Sequence, residues 1–381
     1  MIFSQRDMDA LRLLCWCQFI RPKDLGGVVT ETERENLTSM GLVRIHKKSG
    51  AMLLTNKGTL LLEALFRGAV PHTSHAYHAP LIERRIRVSR LAVTAYHGGM
   101  DLFTLTPEEL ESPASMFLPT ITRSKGSNPW GSTRVAAIAH LGSSFYAMHY
   151  VCPGIGKLAL MDELSAFSNQ TARFRNVERA FIFAGDSYRN VLTELERPSD
   201  KAEAKLMDYG SVYRCLQLPV HLLSCDDTGA VQLQIMAVSD YRTKLAKAAL
   251  KAQYHPPPPD VPEWDAVFQG VPFVLAADMD LRRVDAAIRA AHTQGHRQIA
   301  MAALSGQAEQ VLFPRYRDTE SARVFVLTAD AIEAVTGRNP VPYAPPRTQF
   351  MTSKGDVVDA PPIQIRRKTE KSAGAKNRSL V

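Results

Sequence analysis

Between Glu35 and Leu65 the chain reads ENLTSMGLVRIHKKSGAMLLTNKGTLLLEAL, and few folds accommodate that order. Leu37 and Met40 share one face of a helix that Gly41 can end, because glycine accepts the left-handed backbone that closes a helix. LVRIHKK then alternates apolar and polar residues, SG turns, and AMLLT returns. That pattern predicts a small hairpin with Arg44, His46, Lys47 and Lys48 on or near its tip. NKGTLLLEALFRG closes the stretch as a further amphipathic helix.

Upstream, Met8, Leu11, Leu14, Cys15 and Phe19 recur at helical spacing behind Ser4, a good N-cap residue. Pro22 suits the first turn of a short second helix that Gly26 and Gly27 stop. Thr30 can cap a third helix through ETERENLTSM. Three helices, a basic two-stranded wing and a closing helix are the parts of a winged helix-turn-helix, whose third helix enters a major groove while the wing approaches phosphates.

The wording L-x-x-x-G-L-V followed by L-T-x-K-G-x-x-L-L resembles winged-helix DNA-binding domains. That resemblance implies double-stranded DNA as the partner. It places Thr30, Thr32, Arg34, Glu35, Asn36 and Ser39 on the recognition helix, and Arg44, His46, Lys47 and Lys48 on the wing. The helix is unusually acidic for this role, with Glu31, Glu33 and Glu35 against Arg34. A winged helix kept for protein contacts is therefore the alternative.

Residues 1–68 are expected to form this domain and 69–99 a linker with a basic helix. His72, His75 and His78 recur at intervals of three, but without a nearby Cys or carboxylate they read as polar linker residues rather than metal ligands. PLIERRIRVSRLAVTAYHGG predicts a helix from Pro80 to Gly98, with Ile82, Ile86 and Leu91 on an apolar side and Arg84, Arg85, Arg87 and Arg90 largely elsewhere. Such a helix can pack on a second copy of the chain, giving a homodimer, and offer arginines to phosphate. It can equally be an interdomain helix with a solvated basic face.

Beyond Gly99 the periodicity changes. TRVAAIAHLG and SFYAMHYV read as a hairpin about Gly142 and Ser143. RAFIFAGD leads into SYRNVLTELE, VPFVLAADM into DLRRVDAAIRAAHTQG, and ARVFVLT into ADAIEAVTG. Strand then helix, repeated with strands apolar on both faces, predicts an α/β domain over residues 100–340 with a mixed sheet covered by helices. The strands end near Asp186 and Ser187, Asp278 and Asp280, and Thr328 and Asp330, where ligands of open α/β sheets gather. Capping of the following helices accounts for the same residues.

Phosphate-loop, dinucleotide, nucleophile-elbow and zinc-protease motifs are missing from the sequence. CPGIGK lacks the hydroxyl residue after its lysine. PPPPDVP begins like the Pro-Asp of a restriction-type nuclease, but VPFVLAAD carries no Glu-x-Lys and the run reads as a stiff polyproline loop. No cofactor or metal is expected.

The winged-helix parts, the arginine-rich helix beginning HAPLIERRIRVSRLAV and the hairpin STRVAAIAHLGSSFYAMHYV together resemble the replication-relaxation family of plasmids and integrative conjugative elements. That likeness implies DNA-related work in the replication or transfer of a mobile element, with a second domain endonuclease-like in layout. It carries over no catalytic residue. Two functions follow: a non-enzymatic DNA-binding accessory factor or regulator, or a metal-dependent nuclease or relaxase-like enzyme using Asp186, Asp278 or Asp280. An enzyme needs two acids and a lysine within metal reach at one sheet edge, whereas capping leaves the acids apart.

The charge makes a polyanion a plausible partner, but most of the excess lies at one end and the rest of the chain is only mildly basic. The net charge is +8, and the span from Ile363 to Val381 holds six basic residues against Glu370 alone. Residues 341–381 are thus expected to be a disordered basic tail. Five scattered cysteines form neither a disulfide framework nor a zinc ribbon. With neither an apolar run of spanning length nor a basic-then-apolar leader, the expected location is cytoplasmic, away from membranes.

Overall fold

The computed structural model describes residues 3–71, 78–105, 109–119, 135–151, 178–197, 210, 213–214, 216–316 and 321–338, with short strands at 350–351, 357–358 and 363–365. The chain divides into two compact units, Met1–Leu218 with Leu223–Ala237, and Pro219–Leu222 with Val238–Val381. The fold is mixed α/β. Its strands form two five-stranded mixed sheets, where the sequence predicts one, and the division between units falls inside the span 100–340.

In the first unit, α1 (Gln5–Cys17) opens with a reciprocal cap: the Asp7 amide donates to the Ser4 hydroxyl and the Ser4 amide donates to the Asp7 carboxylate. A 3₁₀ turn follows at Pro22–Leu25. Thr30 and Glu33 repeat the same reciprocal cap at the head of α2 (Glu31–Ser39), and Gly41 beyond it holds φ +71°. β1 (Val43–Ile45) pairs antiparallel with β2 (Met52–Leu54), and α3 (Asn56–Leu65) closes the segment.

Two contacts explain the LTNKG wording before α3. The Thr55 hydroxyl donates to the Gly41 carbonyl at 2.6 Å and accepts the Gly58 amide at 3.2 Å, joining the end of α2 to the start of α3. Gly58 lies against the strand entry, where a Cβ would stand 2.3 Å from the Leu42 carbonyl oxygen.

The helix of the expected linker, α4 (Ala79–His97), is part of this core. Ile82 and Ile86 pack with Phe19, Ala51 and Leu53 in one buried cluster. Arg12 of α1 is sandwiched among Phe103, Phe66 and Trp16, with its carbon 3.6, 4.8 and 5.7 Å from the ring centres.

The first sheet has the order β3 (Ser115–Phe117), β4 (Ala137–Leu141), β5 (Ser144–Tyr150), β6 (Glu178–Gly185), β7 (Val220–Ser224). β3, β4 and β5 run antiparallel, with the expected turn at Gly142 and Ser143, whereas β5 and β6 are parallel. After β6 comes α5 (Tyr188–Glu196), and after β7 comes α6 (Asp227–Met236). α6 lies close on the end of α4: a Cβ at Gly98 would meet the Ala230 carbonyl oxygen at 3.0 Å, and the Gln234 amide donates to the His97 carbonyl at 3.3 Å.

Beyond Pro219–Leu222, the second unit contains α7 (Tyr241–Leu250) and its own sheet of β8 (Ala266–Phe268), β9 (Val271–Leu275), β10 (Ile299–Ala303) and β11 (Ala322–Leu327). β9, β10 and β11 are parallel, β8 is antiparallel to β9, and Ile363–Ile365 adds an antiparallel edge to β11. α8 (Leu281–Thr293) follows β9 and α9 (Ala329–Thr336) follows β11. Those three edge residues lie in the span expected to be disordered; most of that span, including every basic residue after Ile365, is outside the described residues. Among the described residues no helix is long and apolar enough to cross a membrane.

Candidate functional site

Around α2 and the hairpin the polar side chains divide into committed and free. The Thr30 hydroxyl is engaged with Glu33, the Ser39 hydroxyl donates to the Asn36 carbonyl at 2.9 Å, and His46 Nδ1 lies 2.9 Å from the Ser49 hydroxyl. Arg34 pairs with Glu31 at 3.1 Å and donates to the Pro22 carbonyl at 3.3 Å. Thr32, Asn36, Arg44, Lys47 and Lys48 are exposed, and their side chains make no hydrogen bond or ion pair among the described residues. Two of the three acids of the helix are engaged locally, and Glu35 is exposed. Glu33 turns its carboxylate back to the Thr30 amide at 2.7 Å, which holds its carboxyl below the usual range, and Glu31 is taken by Arg34.

The arginines of α4 do not form one solvated face. Arg85, expected on the basic side, is buried at 9% exposure, because α4 is enclosed by the hairpin core on one flank and α6 on another. Arg84 is half-buried. Arg87 and Arg90 instead line a cleft of about 380 Å³ with Arg21, Glu83, Tyr150 and Asp186.

That cleft lies beyond the carboxyl ends of the parallel strands β5 and β6. Arg90 is the tie across it, pairing with Asp186, meeting Asp24 at 3.7 Å and donating to the Tyr150 hydroxyl at 3.3 Å. Tyr150 also donates to Asp186. Burial raises the Asp24 carboxyl above its ordinary value against the pull of Arg90, and burial with the nearby Cys225 thiol pushes the Tyr150 hydroxyl up to about 12. At physiological pH Tyr150 is therefore a neutral donor.

No family model, no curated protein and no solved structure matches the chain.

The acids considered for a metal-dependent reaction are each committed within their own unit. Asp186 belongs to the first unit, Asp278 and Asp280 to the second. Asp278 is fully buried; its Oδ2 accepts from Tyr241 at 2.6 Å and from Arg242 Nε and Nη2 at 2.8 and 2.6 Å. Burial alone would raise its carboxyl, yet Arg242, Arg283, His221 and the Tyr241 hydroxyl hold it below the usual carboxylate range. Asp280 caps α8 by accepting the Arg283 amide at 3.1 Å. Ser187 caps α5 and Thr328 caps α9 in the same way, so capping accounts for these positions as the sequence predicts. Among the described residues no three His, Cys, Asp or Glu side chains are grouped to hold a metal ion.

His78 stands at the head of α4, while His72 and His75 lie outside the described residues. Cys15, Cys17 and Cys225 are buried free thiols, each pushed up to about 12 chiefly by that burial. Cys152 and Cys215 are outside the described residues.

Sequence reasoning missed the roles of Arg21, Glu83 and Tyr150 in the cleft and of Tyr241 and Arg242 around Asp278. In the cleft Arg87, Arg90 and Asp186 carried a signal, the first two as helix arginines and the last as a strand-end acid.

Proposed function

We propose that the chain is a DNA-binding protein in which residues 1–68 act as a winged helix-turn-helix, with α2 directed at a major groove and the hairpin tip at phosphates. The observation that carries this reading is the set of uncommitted polar and basic side chains, Thr32, Asn36, Arg44, Lys47 and Lys48, on the two elements such a domain uses. Glu31 and Glu33 are engaged by Arg34 and by the Thr30 cap, but the acidity of the helix, with Glu35 exposed, still counts against it. Its work on a mobile element, as a non-enzymatic accessory factor or regulator in replication or transfer, rests on the likeness to the replication-relaxation family.

The alternative, a metal-dependent nuclease or relaxase-like enzyme with an endonuclease-like domain, finds less support. It would need Asp278 released from Arg242 and Tyr241.

The test uses the full chain on duplex DNA across a salt series. Replacing Lys47 and Lys48 by Ala should weaken binding similarly on every sequence and lower the salt slope by about 2, since each lost phosphate contact removes roughly 0.9. Unchanged affinity and slope would reject the assignment. Metal-dependent nicking of supercoiled plasmid by the intact chain would favour the enzyme.

A further inference from the structure

We propose that the cleft beyond β5 and β6 binds a small phosphate-bearing anion, with Arg21 and Arg87 as its principal contacts. The inference is independent of the DNA reading, because it uses none of the α2 or hairpin residues.

The three guanidinium groups in the cleft are not equivalent. Arg90 is consumed by Asp24, Asp186 and Tyr150. Arg21 and Arg87 come from different elements, the entry to the 3₁₀ turn and the middle of α4, and converge on the same carboxylate oxygen, Glu83 Oε1, at 3.3 and 4.0 Å. Among the described residues neither forms another ion pair, although Arg21 also acts on Asp24, and their side chains keep 36% and 38% exposure. One carboxylate therefore faces two cations, and most of their N–H donors, five per guanidinium, are open to solvent and to a ligand.

Arg21, Arg87 and Arg90 are matched in number by Glu83, Asp186 and Glu194 along the cleft, so what favours an anion is confined to the Arg21 and Arg87 end, where one carboxylate faces two solvent-accessible guanidiniums. A planar carboxylate is satisfied by one bidentate arginine. Two guanidiniums approaching from different directions suit a tetrahedral oxyanion, which offers acceptors on several sides. Asn190 and Thr193 stand in the same lining as neutral polar groups, while Ile86 and Val191 exclude water from part of the wall and strengthen any charge interaction there.

Size follows from volume and from the opposite wall. A cleft of about 380 Å³ falls in the range of small-molecule sites. Asp186 and Glu194 line it as well, so a long polyanion laid across the opening would meet like charge. The ligand class is thus a single phosphate or a phosphate on a small group, such as a nucleoside monophosphate. Free phosphate and a nucleotide share that chemistry, and separate titrations tell them apart.

The experiment is calorimetric titration of the full chain at low salt with inorganic phosphate, with dAMP and with deoxyadenosine. Saturable binding of phosphate or dAMP and none of deoxyadenosine is expected. Arg87→Ala should weaken it at least tenfold, Arg87→Lys less, and Asp186→Asn should tighten it roughly threefold by removing a nearby negative charge. Thermal melts establish that each variant is folded, and the opposite signs of the two substitutions separate local charge from general damage. Absence of saturable binding, or binding indifferent to Arg87→Ala, would overturn the site. So would dAMP affinity that falls with Lys47→Ala and Lys48→Ala instead. Duplex DNA that displaces dAMP and depends more strongly on Arg87 would reassign the cleft to the nucleic-acid backbone.

Discussion

Arg242 donates through both Nε and Nη2 to one oxygen of Asp278, at 2.8 and 2.6 Å, inside the second unit. The Tyr241 hydroxyl shares that oxygen, and His221 Nδ1 lies 2.9 Å from the Asp278 carbonyl. An aspartate that ends a strand and would otherwise look catalytic is here the centre of a buried ion pair.

Removing Arg242, itself about a third exposed, leaves the buried Asp278 with the Tyr241 hydroxyl and the charge of Arg283. Arg242→Ala should therefore destabilise the protein by about 1–3 kcal/mol in denaturant unfolding. A loss under 1 kcal/mol would show that the Asp278 charge is met by other groups or by water.

His149 sets a pH dependence. It is buried in β5 with ring centres 6.2 and 6.0 Å from those of Phe181 and Phe183, and burial together with Arg84 lowers its imidazole to about 4. The unfolded chain binds a proton near pH 6.5 that the folded chain refuses until about 4, so stability is complete above that window and falls through it on acidification. The expected loss is about 3 kcal/mol, with His97 adding in the same sense. Denaturation at pH 7 and pH 4.5 should show the difference, and His149→Phe should shrink it.

Gly58 should resist the substitution that usually strengthens a helix. In an open helix alanine gains about 1 kcal/mol over glycine, but here its Cβ would press on the Leu42 carbonyl oxygen at 2.3 Å. A Gly58→Ala chain should melt lower and bind duplex DNA less well; an unchanged melting temperature would mean that α3 shifts without cost.

Buried thiols should be silent. Mass-spectrometric mapping after brief alkylation of the native chain at pH 8 should leave Cys15, Cys17 and Cys225 unmodified, because burial pushes each up to about 12, and urea should expose all three. Modification of Cys225 in the native state would reveal opening at the end of β7.

What the sequence made legible was local. Ser4, Thr30, Ser187, Asp280 and Thr328 cap through contacts three residues away, and the hairpin turn at Gly142 and Ser143 needs only its own strands. What it concealed depended on distant partners. Arg85 looks solvated on a helical wheel and is buried only because α4 is covered on more than one side. Arg242 and Asp278 stand 36 residues apart, and Arg90 and Asp186 stand 96 apart, so no window along the chain joins them. IAMAA, the centre of the second sheet as β10, is too short and alanine-rich to announce a strand. The strand-helix repeats looked like one sheet because periodicity reports how a strand is buried, never which strand lies beside it.

β7 has a consequence for inheritance. Its first residues, within Pro219–Leu222, belong to one unit, while Leu223–Ala237 belongs to the other before the chain leaves again at Val238. Neither unit is encoded by one uninterrupted length of gene. A recombination joint placed at Leu218 would deliver the first unit without α6, stripping the cover from the end of α4 where Gly98 meets Ala230. A lineage that shuffles pieces of this chain must make paired joints on either side of α6 or exchange the whole, so the two units are expected to have travelled together.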